Sequence, residues 1–287
     1  MRDLSGKIAV VTGGGSGIGA GLVRALAQEG ARIAIADITP DTAHAVAEEV
    51  KAVGGEAFVV ACDVSDRASI NRMKEAVNDA LGPVSLLFAN AGVTAFERFT
   101  EMSERSIDWI IQVNLMGVTN CLAAFLPDMV AAGEGHVVAT ASAAGLNPAW
   151  VPCHAPYSAA KMGIIGLMLN LRYELELSGV GATVLVPYGV DTAMREKNES
   201  YRPERFGGPR SGPIAIPEAF YQDIALDFRT PDEVAPMVLN AVRKNLPMVV
   251  TDAAQRETFR TTYVDLVMRA FDEAEAHDRE TGRIARP

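Results

Sequence analysis

The sequence predicts an α/β fold, a single doubly wound parallel sheet with helices on both faces. Three observations predict it. Apolar runs of strand length alternate along the chain with amphipathic stretches of helical period, and strands separated by helices pair in parallel through right-handed crossovers. The first apolar run, Ile8–Val11, opens onto a glycine-rich turn, Thr12-Gly-Gly-Gly-Ser-Gly-Ile-Gly19, and a helical pattern from Leu22 to Ala27 follows. The composition is 49% hydrophobic with only 6% aromatic residues, which suits a buried parallel sheet.

The elements follow in order. A second strand, Ile33–Ala36, ends at Asp37, and a helix over Asp41–Val53 is stopped by Gly54-Gly55. A third strand, Ala57–Ala61, ends at Cys62-Asp63; the next helix, Asp66–Leu81, is broken by Gly82-Pro83. A fourth strand, Val84–Phe88, runs into Asn90-Ala-Gly92, and a long helical region spans about Glu104 to Ala132. A fifth strand, His136–Ala139, ends near Ser142; a helix covers Pro156–Leu177, and a sixth strand, Ala182–Val186, ends at Pro187. From Val190 to about Phe228, prolines and glycines interrupt every period. An irregular stretch of that length inside a compact domain is usually functional, and its place after the sixth strand reads as a substrate lid. A helix from Asp232 to Lys244, a short strand Met248–Val250 and a helical tail over about 253–280 complete one domain spanning 1–287. No apolar run of membrane-spanning length is read along it.

The glycine turn carries the first functional signal. With side chains nearly absent, its N–H groups can close on a pyrophosphate at the positive end of the following helix. Gly13, Gly17 and Gly19 fit a T-G-x-x-x-G-x-G spacing, and a G-x-G-x-x-A reading from Gly15 to Ala20 is also open. Asp37, closing the second strand, is placed to accept hydrogen bonds from adenosine ribose hydroxyls. Strand, turn, helix, strand and carboxylate together predict a Rossmann-like dinucleotide site. In such sheets the ligand lies outside the carboxyl ends of the strands, where Asp37, Asp63, Asn90, Ser142 and Pro187 all fall.

Tyr157 and Lys161 stand at i and i+4, so on a helix they share one face. A phenol is a poor base near neutral pH, and a neighbouring cation favours its phenolate. Ser142, at a strand end, can hold a substrate oxygen. Singly, each has a plainer reading: an interface aromatic, a solvated charge and a turn residue.

Together these residues resemble the short-chain dehydrogenase/reductase family over about Ser5–Met194. The resemblance rests on the turn ending at Gly19, Asp63-Val64, Asn90-Ala91-Gly92, Asn114 within Val113-Asn-Leu115, Ser142, and the Tyr157/Lys161 pair. It implies that Tyr157 is the acid/base, that Lys161 holds the nicotinamide ribose and lowers the Tyr157 pKa, and that Ser142 positions the substrate oxygen. Asn114 supports a water-linked proton relay through Lys161. It further implies a cofactor site built from Gly13, Ser16, Gly17, Ile18, Gly19, Asp37, Asp63, Val64, Asn90, Ala91, Gly92, Tyr157, Lys161, Pro187, Val190 and Thr192. Asp63 and Val64 bracket the adenine, and Asn90 braces the central strand. Asp37 accepts ribose hydroxyls and repels a 2′-phosphate, so NAD is expected rather than NADP. Tyr188 stands where the family carries Gly, with a cleft-lining or a packing role open to it.

Within the family, Asp108-Trp-Ile-Ile111, Asn114-Leu-Met-Gly117 and Arg202-Pro-Glu-Arg-Phe206 resemble the bacterial lignin Cα-dehydrogenases, which oxidise the benzylic alcohol of β-aryl ethers. The implied substrate is a bulky secondary alcohol or its ketone. Phe96, Trp150, Phe206, Phe220 and Tyr221 are its candidate apolar cleft, with lid packing as their alternative. His154 is read as a turn or surface residue, and Arg195, Arg202, Arg205 and Arg210 as solvated or ion-paired. The alternatives are a sterol- or terpene-alcohol dehydrogenase and a non-catalytic NAD-binding redox sensor.

The acidic balance, a formal net charge of −10, argues against nucleic acid and anionic membrane surfaces as partners. Cys62, Cys121 and Cys153 lack metal spacing and read as buried thiols of a reducing compartment; no metal is expected. A cytoplasmic protein is expected, and the long helices around Asn114 and Tyr157 resemble the family's subunit contacts, implying a homo-oligomer, dimer or tetramer.

Overall fold

The computed structural model describes residues 3–149, 151–214 and 228–284. A parallel sheet of seven strands runs in the order β3-β2-β1-β4-β5-β6-β7. The strands are β1 (Ile8–Thr12), β2 (Arg32–Asp37), β3 (Glu56–Ala61), β4 (Leu86–Ala89), β5 (Gly135–Thr140), β6 (Val180–Val186) and β7 (Met248–Val250). The order reverses between β1 and β4, which pair directly, Val11 opposite Phe88. That reversal opens a crevice at the carboxyl ends of these two strands.

Helices cover both faces, and the strand period of two sends alternate side chains to each. In β1, Ile8 and Val10 join a core with Met73 and Val77 of α3 (Arg67–Ala80), Phe125 of α5 (Gly117–Ala132) and Ile164 of α7 (Ala155–Glu174). Ala9 and Val11 join the opposite core with Leu22 and Leu26 of α1 (Gly17–Gln28), Val46 of α2 (Pro40–Ala52) and Val238 of α9 (Pro231–Lys244). The helix starts follow local chemistry. Asp66 caps α3 through the Ala68 N–H, Ser103 caps α4 (Glu104–Ile111) through Ser106, and Thr230 with Glu233 forms a capping box on α9.

The long helical region departs from expectation in two ways. It is not one regular helix, because a π-turn over Gln112–Met116 separates α4 from α5. It is also, as the 29-residue span Glu104–Ala132, long and apolar enough by length and composition to cross a membrane, with a mean hydropathy of 1.5 in its most apolar window. No run of that length was expected from the sequence. More than half of that window, 56%, is buried inside the protein, where Trp109, Phe125 and Met129 join the core, so its apolar character has a packing explanation.

The stretch after β6 is more ordered than its prolines predict. It begins with α8 (Met194–Lys197), continues as a 3₁₀ turn over Asn198–Tyr201 and has a second over Glu204–Phe206. Residues 215–227 lie outside the described residues, as do Trp150, Phe220 and Tyr221 among the expected cleft aromatics. Phe206 does not line a cleft but is buried in the core cluster beside Trp109. The tail runs through α10 (Arg256–Phe259), a π-turn and α11 (Asp265–Glu280), and none of α11 is buried.

Candidate active site

The crevice between β1 and β4 holds a cleft of about 240 Å³. Its floor is the glycine turn, and the backbone decides the register that sequence left open. Gly13 and Gly17 take φ of +64° and +50°, the left-handed region that favours glycine. A Cβ on Gly13 would lie 2.9 Å from Ala91 Cα, and one on Gly19 would lie 2.0 Å from the Gly13 carbonyl oxygen. These are the three glycines of the T-G-x-x-x-G-x-G spacing. Gly15 is required for a different reason: a Cβ there would sit 2.5 Å from Thr42 Oγ1 and 2.9 Å from Asp37 Oδ2. The turn delivers the chain to Ser16, the N-cap of α1, whose side chain makes no cap hydrogen bond.

Asp37 is buried at the end of β2. Its Oδ2 accepts from the Gly15 N–H at 2.9 Å and its Oδ1 from the Thr39 N–H at 3.0 Å. Burial pushes its carboxyl above the usual range, and the backbone donors partly offset that. Each oxygen retains acceptor capacity for a further donor. Asn90 ties three strands together: its N–H donates to Thr12 Oγ1, its Nδ2 to Thr12 O, and its Oδ1 accepts from Thr140 Oγ1. Asp63 and Val64 follow β3 and line the same cleft. The Asp63 carboxylate is already engaged, by Ser65 on Oδ1 and by Arg205 on Oδ2 at 2.7 Å. Across the cleft, burial and then the Asp37 charge push the Tyr201 phenol up. Arg202 is buried, its guanidinium 4.9 Å from the Trp109 ring centre and hydrogen-bonded to Ser106 and the Phe206 carbonyl. The arginines of this segment that pair are therefore structural: Arg202 and Arg210 meet Glu199, and Arg205 meets Asp63.

Ser142, Tyr157 and Lys161 converge in the same cleft. The Tyr157 hydroxyl faces Ser142, whose side chain pulls the phenol's pKa down; Ser142 Oγ accepts from the Ala144 N–H and so caps α6 (Ala143–Leu146). One helical turn on, Lys161 Nζ lies 5.5 Å from the Tyr157 ring centre and donates to the Thr140 carbonyl at 2.8 Å. Space for this lysine comes from Gly92: a Cβ there would fall 3.3 Å from Nζ and 2.9 Å from Asn114 Oδ1. Asn114 does not line the cleft. It is fully buried in the π-turn, its Nδ2 donating to the Val93 and Ile110 carbonyls and its Oδ1 accepting from the Val93 N–H. Both side-chain N–H groups are thus committed to the backbone. Pro187, Val190 and Thr192 line the near wall; Pro187 O accepts from Ala143, and Val190 bridges to Arg229.

In the chain taken by itself, burial works against charge on both groups. Burial pushes the Tyr157 phenol up, with only the Ser142 side chain pulling it down. Burial also lowers the Lys161 ammonium to about 7. The pair taken alone therefore disfavours charge on both partners, because each lies in a low-dielectric pocket.

A second cavity, about 400 Å³, meets the first at Ser142, Tyr157, Pro187, Tyr188, Val190, Thr192 and Met194. Its further walls include Phe96, Val151, Ile214 and Phe228. Tyr188, where the motif departs from the family, faces both cavities. His154 is no surface residue: it is buried in the wall beside Tyr157. Cys153 is only half-buried, unlike Cys62 and Cys121, and takes a φ of +59°.

Several of these residues escape sequence reasoning. Thr140, Asn198 and Tyr201 reach the site from different elements, and no local pattern marks them. Gly145 is another: a Cβ there would lie 2.4 Å from the Lys161 carbonyl carbon, so α6 packs directly on α7 at the lysine. Its pairing with Lys161 is long-range.

A short chain dehydrogenase profile matches residues 7–202. The chain is 31% identical over 261 residues to the C alpha-dehydrogenase of Sphingobium sp. strain SYK-6, spanning 90% of this chain and 84% of that protein. Among solved structures it is similar to a short chain dehydrogenase/reductase from Burkholderia phymatum in complex with NAD, with a TM-score of 0.84, 30% identity, and 94% and 97% of the two chains covered. It is also similar to apo LigD from Sphingobium sp. strain SYK-6, with a TM-score of 0.74, 28% identity, and 92% and 97% covered. The likeness runs from β1 through the cleft and past the Tyr157–Lys161 pair, and on that ground the chain belongs to the short chain dehydrogenase family of oxidoreductases.

Proposed function

We propose that this oxidoreductase interconverts a secondary alcohol and its ketone with NAD, and that the alcohol is bulky, aromatic and benzylic, of the lignin β-aryl ether type. The observation that carries the reading is the meeting of two cavities at Ser142 and Tyr157. One is walled by the glycine turn and Asp37, the other largely by apolar side chains. A dinucleotide fits the first: the glycine turn leads to the N-terminus of α1, whose positive end suits phosphates, and Asp37 retains acceptors for ribose hydroxyls. When bound, NAD supplies the hydride acceptor and, in its oxidised form, a positively charged ring.

The remaining work falls to the chain. Ser142 holds the substrate oxygen through its hydroxyl, and Tyr157 removes the alcohol proton during oxidation and returns it during reduction. Lys161 stands one turn away as the nearby cation, its Nζ oriented by Thr140 O. Asn114 positions the Val93 and Ile110 backbone behind Gly92, and so shapes the lysine's pocket. Phe96, Val151, Ile214 and Phe228 present an apolar surface to the substrate, which excludes water from the transfer. The likeness to the Sphingobium C alpha-dehydrogenase supports an aryl substrate.

The test is a nicotinamide absorbance assay across a panel of secondary alcohols: aryl-glycerol ethers, 1-phenylethanol, sterols and monoterpene alcohols. Fastest turnover of the benzylic members is expected. Preference for sterols or terpene alcohols overturns the substrate class, and NAD binding without any turnover favours the sensor.

The cofactor choice has its own test. In Asp37→Ala the ratio of kcat/KM with NADP to that with NAD is expected to rise, since one change removes a ribose acceptor and a charge that repels a 2′-phosphate. An unchanged ratio would show that Asp37 does not face the ribose.

A further inference from the structure

We propose that His154 is a positioning residue for Tyr157: an imidazole that fixes the plane of the phenol ring and is itself held by Thr94 and Asn198. The inference rests on the reading of Tyr157 as the acid/base.

His154 lies at the N-terminus of α7, three residues before Tyr157, after the left-handed turn at Cys153. That turn carries the ring inward, and the Glu97 N–H donates to the Cys153 carbonyl at 2.9 Å, joining this loop to the 94–97 stretch. The imidazole is the middle layer of a stack. The Phe96 ring centre lies 4.3 Å away at an interplanar angle of 25°, and the Tyr157 ring centre lies 4.3 Å away at 5°. A helix fixes where the Tyr157 side chain starts, but the ring can still pivot about its side-chain torsions. A flat neighbour lying parallel to one face restricts that pivot. The hydroxyl then points to Ser142, where a substrate oxygen must meet it.

The imidazole's own plane is set from its edge. Its Nε2 is 2.7 Å from Thr94 Oγ1. Thr94 is held in turn by the amide of the buried Asn198, whose Oδ1 accepts from the Thr94 N–H at 2.7 Å and whose Nδ2 donates to the Thr94 carbonyl at 2.8 Å. Asn198 belongs to the segment after β6 that borders the cofactor cleft. A threonine, a histidine and an asparagine from three separate segments thus converge behind the reacting ring.

The stack acts through shape and not through charge. Among the described residues no carboxylate is hydrogen-bonded to the ring and its Nδ1 has no hydrogen-bond partner, and burial holds it neutral down to about pH 3. A neutral flat ring can be replaced by another. His154→Phe keeps the face and loses the Thr94 contact, whereas His154→Ala loses both.

Two readouts test this. With tyrosines labelled with ¹³C in the ring and the Tyr157 signal assigned by its disappearance in Tyr157→Phe, slow ring flipping is expected in the native protein and in His154→Phe. Fast, averaged flipping is expected in His154→Ala. In oxidation of 1-phenylethanol or the best alcohol of the panel, His154→Ala is expected to lower kcat by up to about 10²-fold, the scale of a small misplacement of a reacting group. His154→Phe should stay near the native rate with the same pH profile, and NAD affinity, which also reports folding, should be unchanged in both. Thr94→Val leaves the smaller imidazole without its edge anchor, whereas the larger phenyl of His154→Phe is held by packing, so its rate should fall between them; a Thr94→Val rate equal to native would overturn the part assigned to Thr94. Slow flipping or native kcat in His154→Ala overturns the proposal. So does a His154→Phe variant as slow as His154→Ala with an altered pH profile, which would assign the imidazole a proton-carrying role. The underlying reading fails separately, through an active Tyr157→Phe.

Discussion

Replacing Tyr157 by Phe is expected to lower alcohol oxidation by about 10²–10⁴-fold while leaving NAD affinity close to the native value. The change removes one oxygen. The ring that stacks on His154 stays, but the hydroxyl that meets Ser142 is lost. The pH profile sharpens the test. Burial raises the phenol and lowers Lys161 to about 7, so the first proton to leave the pair does so near neutrality. Whether the pair then sits as amine with phenol or as ammonium with phenolate, it has one proton fewer and can accept one from the alcohol, and the apparent pKa belongs to the pair. Oxidation should therefore rise with pH through neutrality and reduction should fall. In Tyr157→Phe the residual oxidation should lose that limb. Native turnover in the variant, or an unchanged limb, would locate the base elsewhere.

Gly19→Ala is expected to abolish NAD binding and to destabilise the fold. The added Cβ would overlap the Gly13 carbonyl oxygen at 2.0 Å and crowd Asn90 Nδ2 at 2.8 Å. Neither neighbour can yield cheaply. Gly13 is itself pinned against Ala91, and Asn90 is hydrogen-bonded to both β1 and β5. The first turn of α1 must therefore move off the glycine loop, at a cost of about 1–3 kcal/mol for overpacking, and the amides lose their common focus. Fluorescence titration with NAD and thermal unfolding measure the two effects. Gly166→Ala is the control: a Cβ there meets nothing within 4 Å, so binding should be native and stability equal or higher. Normal NAD affinity in Gly19→Ala would mean that the dinucleotide does not lie on this turn.

The fold was largely legible because its signals are local. The run Ile8–Val11 alternates between two cores and needs only its own apolar residues to do so. Asp66 announces α3, and Thr230 with Glu233 announces α9, through hydrogen bonds made within one turn. The π-turn at Gln112–Met116 was not legible. It inserts into a continuous helical pattern, and nothing in Val113-Asn-Leu115 by itself distinguishes five residues per hydrogen bond from four. The turns between Met194 and Phe206 were hidden by prolines, since Pro203 breaks the period yet leaves room for a short 3₁₀ turn beside it.

By itself the sequence determined the parallel sheet, the glycine turn with Asp37 behind it, and the pairing of Tyr157 with Lys161, because each depends on spacing along one strand–turn–helix or one helix face. Only the tertiary structure decided how those groups are surrounded. It selected the register of Gly13, Gly17 and Gly19 through the approach of Ala91, and gave Phe206 a packing role, one of the two left open for it. It also turned His154 from a surface position into a layer of the Tyr157 stack. It set, too, the desolvation of Tyr157 and Lys161, which depends on everything packed around a group and not on its neighbours in the chain. Contacts such as Asn198 to Thr94 and Gly145 to Lys161 join residues from different elements, and only the folded sheet brings such residues within reach.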